Sequence, residues 1–90
     1  MGDLSKLPNI GAVVEEQLRQ VGITTEEQLK ELGSTQAWLK IQEIDASACI
    51  HRLYSLEGAI QGVRKNLLAP EVKAELKAFY NAHKIVEERK

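Results

Sequence analysis

Ninety residues, 43% of them apolar and 28% charged, with a net charge of −1, describe one small folded domain and exclude a disordered chain or a protein with strong general affinity for polyanions. A domain this short buries only about 60–65% of its unfolded surface, so its core must be economical. Cys49, the single cysteine, rules out an intramolecular disulfide and a zinc knuckle, and no apolar run approaches the ~20 residues that span a bilayer. The opening Met1-Gly2-Asp3 carries no secretory apolar core, and Lys6 stands where a myristoylation signal wants Ser or Thr, so a cytoplasmic address without membrane association is expected.

Leu7-Pro8-Asn9-Ile10-Gly11 spells a tight hairpin opening a helix. Ile10, Val14, Leu18 and Val21 then make one apolar stripe, and Gly22 ends it. Thr24 and Glu27 have capping-box spacing for a second helix, with Leu29 and Leu32 on its buried face and Gly33 as its stop. This hairpin-containing part, about residues 4–33, has the form of a helix-hairpin-helix element. Ser34 is the expected cap of a third helix carrying Trp38, Ile41 and Ile44 on one side, and Asp45 or Ser47 caps a fourth.

The fourth helix is predicted over residues 47–66, because Cys49, Leu53, Leu56, Ile60, Val63 and Leu67 alternate helical steps without a break. Its opposite side carries Ser55, Gly58 and Gly62, a small-residue face suited to close packing. Glycine inside a helix costs about 1 kcal/mol relative to alanine, which is understandable where another backbone passes close by. The hairpin or the third helix is the expected neighbour, and a groove for a second chain is the sharper alternative. Pro70 restarts the chain as a fifth helix, about residues 70–86, with Val72, Leu76, Phe79, His83 and Val86 in stripe. The two long helices should form an antiparallel pair. The whole is an all-α, five-helix single domain over residues 1–90, with no period-two run to suggest a strand.

Leu53-Tyr54-Ser55-Leu56-Glu57-Gly58-Ala59, together with Leu7-Pro8-Asn9-Ile10-Gly11, Val21-Gly22-Ile23, Leu32-Gly33 and Glu75-Leu76-Lys77, resembles the C-terminal domain of the TfoX/Sxy family, regulators of DNA transformation competence, across nearly the whole chain. The resemblance implies a bacterial regulatory module that works through partners and has no known catalytic activity. Members often pair this domain with a separate N-terminal one, and the chain reads as a stand-alone copy. Where the family commonly has a tryptophan after Gly-Val-Arg, Lys65 and Asn66 stand.

DNA-binding hairpins usually read glycine-apolar-glycine with a basic residue soon after, whereas Asn9-Ile10-Gly11 is followed by Glu15 and Glu16. Those carboxylates suit the helix dipole and repel phosphate, so the hairpin is expected to be structural, with phosphate contact the alternative. Charge is asymmetric: residues 1–45 hold four basic and eight acidic side chains, and residues 46–90 hold eight and five. Candidate nucleic-acid contacts are therefore Arg52, Arg64, Lys65, Lys73, Lys77 and Lys84. The two histidines have no acid partner or nucleophile at reactive spacing, and Cys49 and His51 project to nearly opposite sides of a helix, so neither a catalytic nor a metal site is expected. His83 is expected as a half-buried core histidine, Cys49 as a small core hydrophobe, and Trp38 as the anchor of the third helix. No cofactor or small-molecule substrate is indicated. A protein partner or self-association is the expected mode of action, with weak nucleic-acid binding the alternative.

Overall fold

Two helices end in the same way, and the chemistry of those ends sets much of the architecture. In the computed structural model, which describes residues 4–46 and 48–83 except the Ser5 side chain, α1 (Ala12–Gln20) is followed by Gly22 at φ 91°. The Ile23 amide donates to the Leu18 carbonyl at 2.8 Å and the Gly22 amide to Arg19 at 3.1 Å, the paired bonds of a Schellman stop. Leu18 and Ile23 are both buried, so the apolar contact that accompanies such a stop also anchors the turn. At the end of α4 (Ile50–Gln61) the pattern repeats around Gly62, at φ 79°: Val63 donates to Gly58 at 2.9 Å and Gly62 to Ala59 at 3.2 Å.

Between them lie α2 (Glu26–Leu32) and α3 (Ser34–Ile44). The capping box of α2 stands one residue later than the predicted Thr24 and Glu27: the Thr25 hydroxyl accepts from the Gln28 amide at 3.1 Å, and Gln28 Oε1 accepts from Thr25 N at 3.3 Å. The same oxygen also takes the Thr24 amide at 2.7 Å and its hydroxyl at 3.0 Å, which is why this register wins. Gly33, at φ 90° and ψ 158°, both stops α2 and stands at the cap of α3. Few residues other than glycine adopt that conformation. Ser34 is therefore inside the helix and not its cap. It is buried, and its hydroxyl donates to Glu57 Oε1 of α4 at 2.6 Å.

The fourth helix is shorter than the predicted 47–66. It starts at Ile50, after Cys49, because the Trp38 indole N–H donates to the Cys49 carbonyl at 3.1 Å and holds the chain extended there. Cys49 is half-buried, and Asp45 ends α3 without capping α4. Ser47 lies outside the described residues. At the other end the left-handed Gly62 breaks the helix, and a 3-10 turn, Lys65–Leu67, follows. Leu67, predicted in the buried stripe, is 67% exposed, while Leu68 takes the inward place at 4%. Ile44 is likewise exposed, at the last turn of α3.

Helix α5 (Pro70–His83) is the last of five α-helices among the described residues, which include no strand. Its Phe79 and Tyr80 meet the Trp38 ring edge-on, with centroids 6.2 and 5.6 Å away. Trp38, Leu53, Leu56 and Ile41 are fully buried at this junction of α3, α4 and α5. His83 is exposed and not a core residue: its ring stacks on Phe79 at 4.1 Å, and the nearby α3 side chain is polar, Gln42 donating to the His83 carbonyl at 3.0 Å. Lys84 and Val86 lie outside the described residues. On the far side of α4, Arg52 Nη1 donates to Gln17 Oε1 at 2.8 Å and to Asp45 Oδ2 at 3.1 Å, and Gln17 donates to the same carboxylate at 2.9 Å. This triad ties α1 to the start of α4. Among the described residues no helix is long and apolar enough to cross a membrane.

Trp38→Ala removes the side chain around which three helices pack and leaves the Cys49 carbonyl without its indole donor. Urea denaturation followed by circular dichroism should show a loss of about 3–5 kcal/mol.

Candidate functional site

The hairpin is built by two successive tight turns. Leu7 N donates to the Leu4 carbonyl at 3.0 Å and Ile10 N to Leu7 at 3.3 Å, and Leu4 and Ile10 are buried on either side. Between them Asn9 takes φ 70°, the left-handed region that asparagine tolerates better than other residues with a side chain.

That backbone turn sends the Asn9 amide to the chain leaving α4. Its Nδ2 donates to the Val63 carbonyl at 3.0 Å, and its Oδ1 accepts from the Lys65 amide at 3.1 Å. One side chain thus pairs with both backbone groups of a segment 54 to 56 residues away, as a neighbouring strand would. Gly58 lies directly beneath. A Cβ built there would stand 2.5 Å from Asn9 Nδ2 and 2.7 Å from the Val63 oxygen, so any side chain would displace both the clamp and the backbone it holds. Ser55, also buried, turns its hydroxyl back to the His51 carbonyl at 2.9 Å. Gly62 does not belong to this close-packed face: it is exposed, a Cβ there would meet nothing within 4 Å, and its requirement for glycine is the positive φ.

The clamp leaves an open groove of about 550 Å³ on its outer side, with Lys6, Pro8 and Asn9 along one wall and Gly62, Val63, Arg64 and Leu67 along the other. Of the predicted nucleic-acid contacts, Arg64 and Lys65 are brought beside the hairpin. Arg52 is committed to Asp45 and Gln17, Lys73 reaches the Asn66 carbonyl at 3.5 Å, and Lys77 is exposed on α5. The start of α1, at Gly11, has no side-chain cap, Val13 is 68% exposed, and Glu15 sits in the first turn. Glu16 forms an ion pair with Arg19. Lys6, Pro8 and Leu67 were not among the site residues expected from the sequence, which placed Leu67 in the buried stripe of the fourth helix. Lys6 stands immediately before the hairpin motif, but nothing local in the sequence shows that the exit of α4 faces it.

The TfoX C-terminal domain family matches residues 1–80. The fold and sequence are also similar to two crystal structures from Listeria monocytogenes. One, an uncharacterized protein in a triclinic form, is 49% identical, covers 88% of this chain and 90% of its own, and superposes with a TM-score of 0.87. The other, a protein of unknown function in a tetragonal form, is 49% identical over 88% of this chain and 96% of its own, with a TM-score of 0.86. A comparison with curated proteins gives no match.

Asn9→Ala should cost about 2–3 kcal/mol, from two lost hydrogen bonds and a left-handed backbone without a tolerant side chain. Asn9→Gly, which keeps the backbone freedom and loses only the bonds, should cost less. Gly58→Ala should cost about 1–3 kcal/mol and be non-additive with Asn9→Ala in a double-mutant cycle read by denaturation.

Proposed function

This chain belongs to the TfoX C-terminal domain family, and we propose that it acts as a non-catalytic interaction module in the cytoplasm, binding another protein through the groove beside the hairpin. Membership makes it a regulatory-type module, related to competence at the level of the family. The observation that carries the proposal is the groove itself. Leu67 is 67% exposed and lines the groove with Pro8 and Val63, and with Lys6 and Arg64, both exposed. Apolar anchors ringed by polar groups are the usual composition of a protein-binding patch.

A second reading, weak nucleic-acid binding, is favoured by one specific juxtaposition. The Asn9 clamp brings Arg64 and Lys65 next to a hairpin whose following helix has no side-chain cap. Against it stand Glu15 in the first turn of that helix and the net charge of −1. A phosphate backbone presents one charge per about 1.7 Å of duplex and rewards many cations in register.

Two measurements separate these readings. Affinity capture from bacterial lysate with the wild-type chain and with Leu67→Asp should yield a protein retained by the first and lost by the second. Fluorescence anisotropy with duplex DNA at low and moderate salt should show no saturable binding at the higher salt. Salt-dependent DNA binding abolished by charge reversal at Arg64 and Lys65, with capture unaffected by Leu67→Asp, contradicts the proposal.

A further inference from the structure

We propose that the groove takes a short acidic segment of its protein partner, with one apolar side chain seated on Leu67, Pro8 and Val63 and the flanking carboxylates held by Lys6 and Arg64. This rests on the protein-interaction reading above and names the chemistry of the partner.

The charge inside the groove is one-sided. The chain has 13 acidic and 12 basic side chains overall, yet among the described residues two cations and no carboxylate line this groove. Among the described residues Arg19, Lys30 and Arg52 each pair with a carboxylate, whereas Lys6 and Arg64 make no ion pair. Lys6 also lines a second hollow, of about 390 Å³, with Thr25, Glu26 and Glu27, but neither carboxylate comes within ion-pair distance of it. Arg64 has a planar fork suited to two-point recognition of a carboxylate.

Backbone pairing decides how the segment is recognised. The Val63 carbonyl and the Lys65 amide are taken by Asn9, and the Val63 amide is taken by Gly58. The groove therefore offers no open strand edge at these positions. An occupant is held by its side chains, and specificity follows from charge and one apolar anchor. Leu67 supplies the anchor because the 3-10 turn turns Leu68 into the core and Leu67 outward. A nucleic-acid backbone brings phosphates without the apolar group, and leaves Leu67 uncovered.

Selection of phage-displayed random peptides on the immobilised full chain tests this directly. Enriched sequences should combine Asp or Glu with a neighbouring Leu, Ile or Phe. Synthetic copies should bind about tenfold more weakly to a Lys6→Glu, Arg64→Glu double variant and to Leu67→Asp. All three positions are exposed, and circular dichroism verifies that the variants keep their helicity. Enrichment of basic or uncharged apolar peptides that still depend on Leu67 overturns the acidic assignment while leaving the protein-interaction reading in place. Failure to enrich any sequence, or binding unchanged in the double variant, also overturns it. No enrichment combined with salt-sensitive DNA binding at Arg64 removes both readings.

Discussion

A single carboxamide joins the N-terminal hairpin to the exit of α4. Asn9 donates to the carbonyl of Val63 and accepts from the amide of Lys65, so the N-terminal hairpin is attached to the exit of α4 by the bonds a strand would make, without a strand. Two other features exist to let it do so. Asn9 must adopt a left-handed backbone to aim its side chain, and Gly58 must lack a side chain to leave room for it. Each net hydrogen bond is worth about 1 kcal/mol, but their position magnifies the consequence: they decide where the hairpin lies relative to α4, and hence whether Lys6 and Arg64 share a groove.

The rest of the fold is held by apolar packing around Trp38, whose ring meets α5 and whose indole N–H fixes the start of α4. Within the described residues none of these helices exceeds 14 residues, a length at which isolated helices are marginal in water. Their order comes from one another. The aromatic junction and the Asn9 clamp act at opposite ends of α4, the first on Cys49 and the second on Val63, so that helix is fixed at both ends while its middle carries the buried Leu53 and Leu56.

Much of this was legible where the deciding chemistry is local. Gly22 as a helix stop and Pro70 as a helix start depend only on the backbone freedom of the residue itself, and the Leu53–Leu56 stripe shows the buried face of α4 by its spacing. The boundaries of α4 were hidden because the apolar period continues through Val63 and Leu67 after the left-handed Gly62 has already ended the helix. At α2 two adjacent threonines offer two caps, and Gln28, three residues after Thr25, decides between them through an oxygen shared among three donors. The pairing of Asn9 with the exit of α4 was the least readable. Its partners are backbone groups, which carry no residue-type signature, and they lie more than fifty positions away. The groove, which exists only because of that pairing, was invisible for the same reason. The small-residue face pointed toward it, since Gly58 reported a close approach without naming the visitor.

The Lys65 amide offers the most direct test of this arrangement. Lys65 is an exposed residue in a short 3-10 turn, where an amide bonded only to water exchanges rapidly. Its one bond is to Asn9 Oδ1. Hydrogen exchange by NMR should find this amide protected in the wild-type chain and fast in Asn9→Ala, with the core amide of Leu53 still protected in both. Rapid exchange at Lys65 in the wild-type chain, or protection that survives Asn9→Ala, contradicts the account.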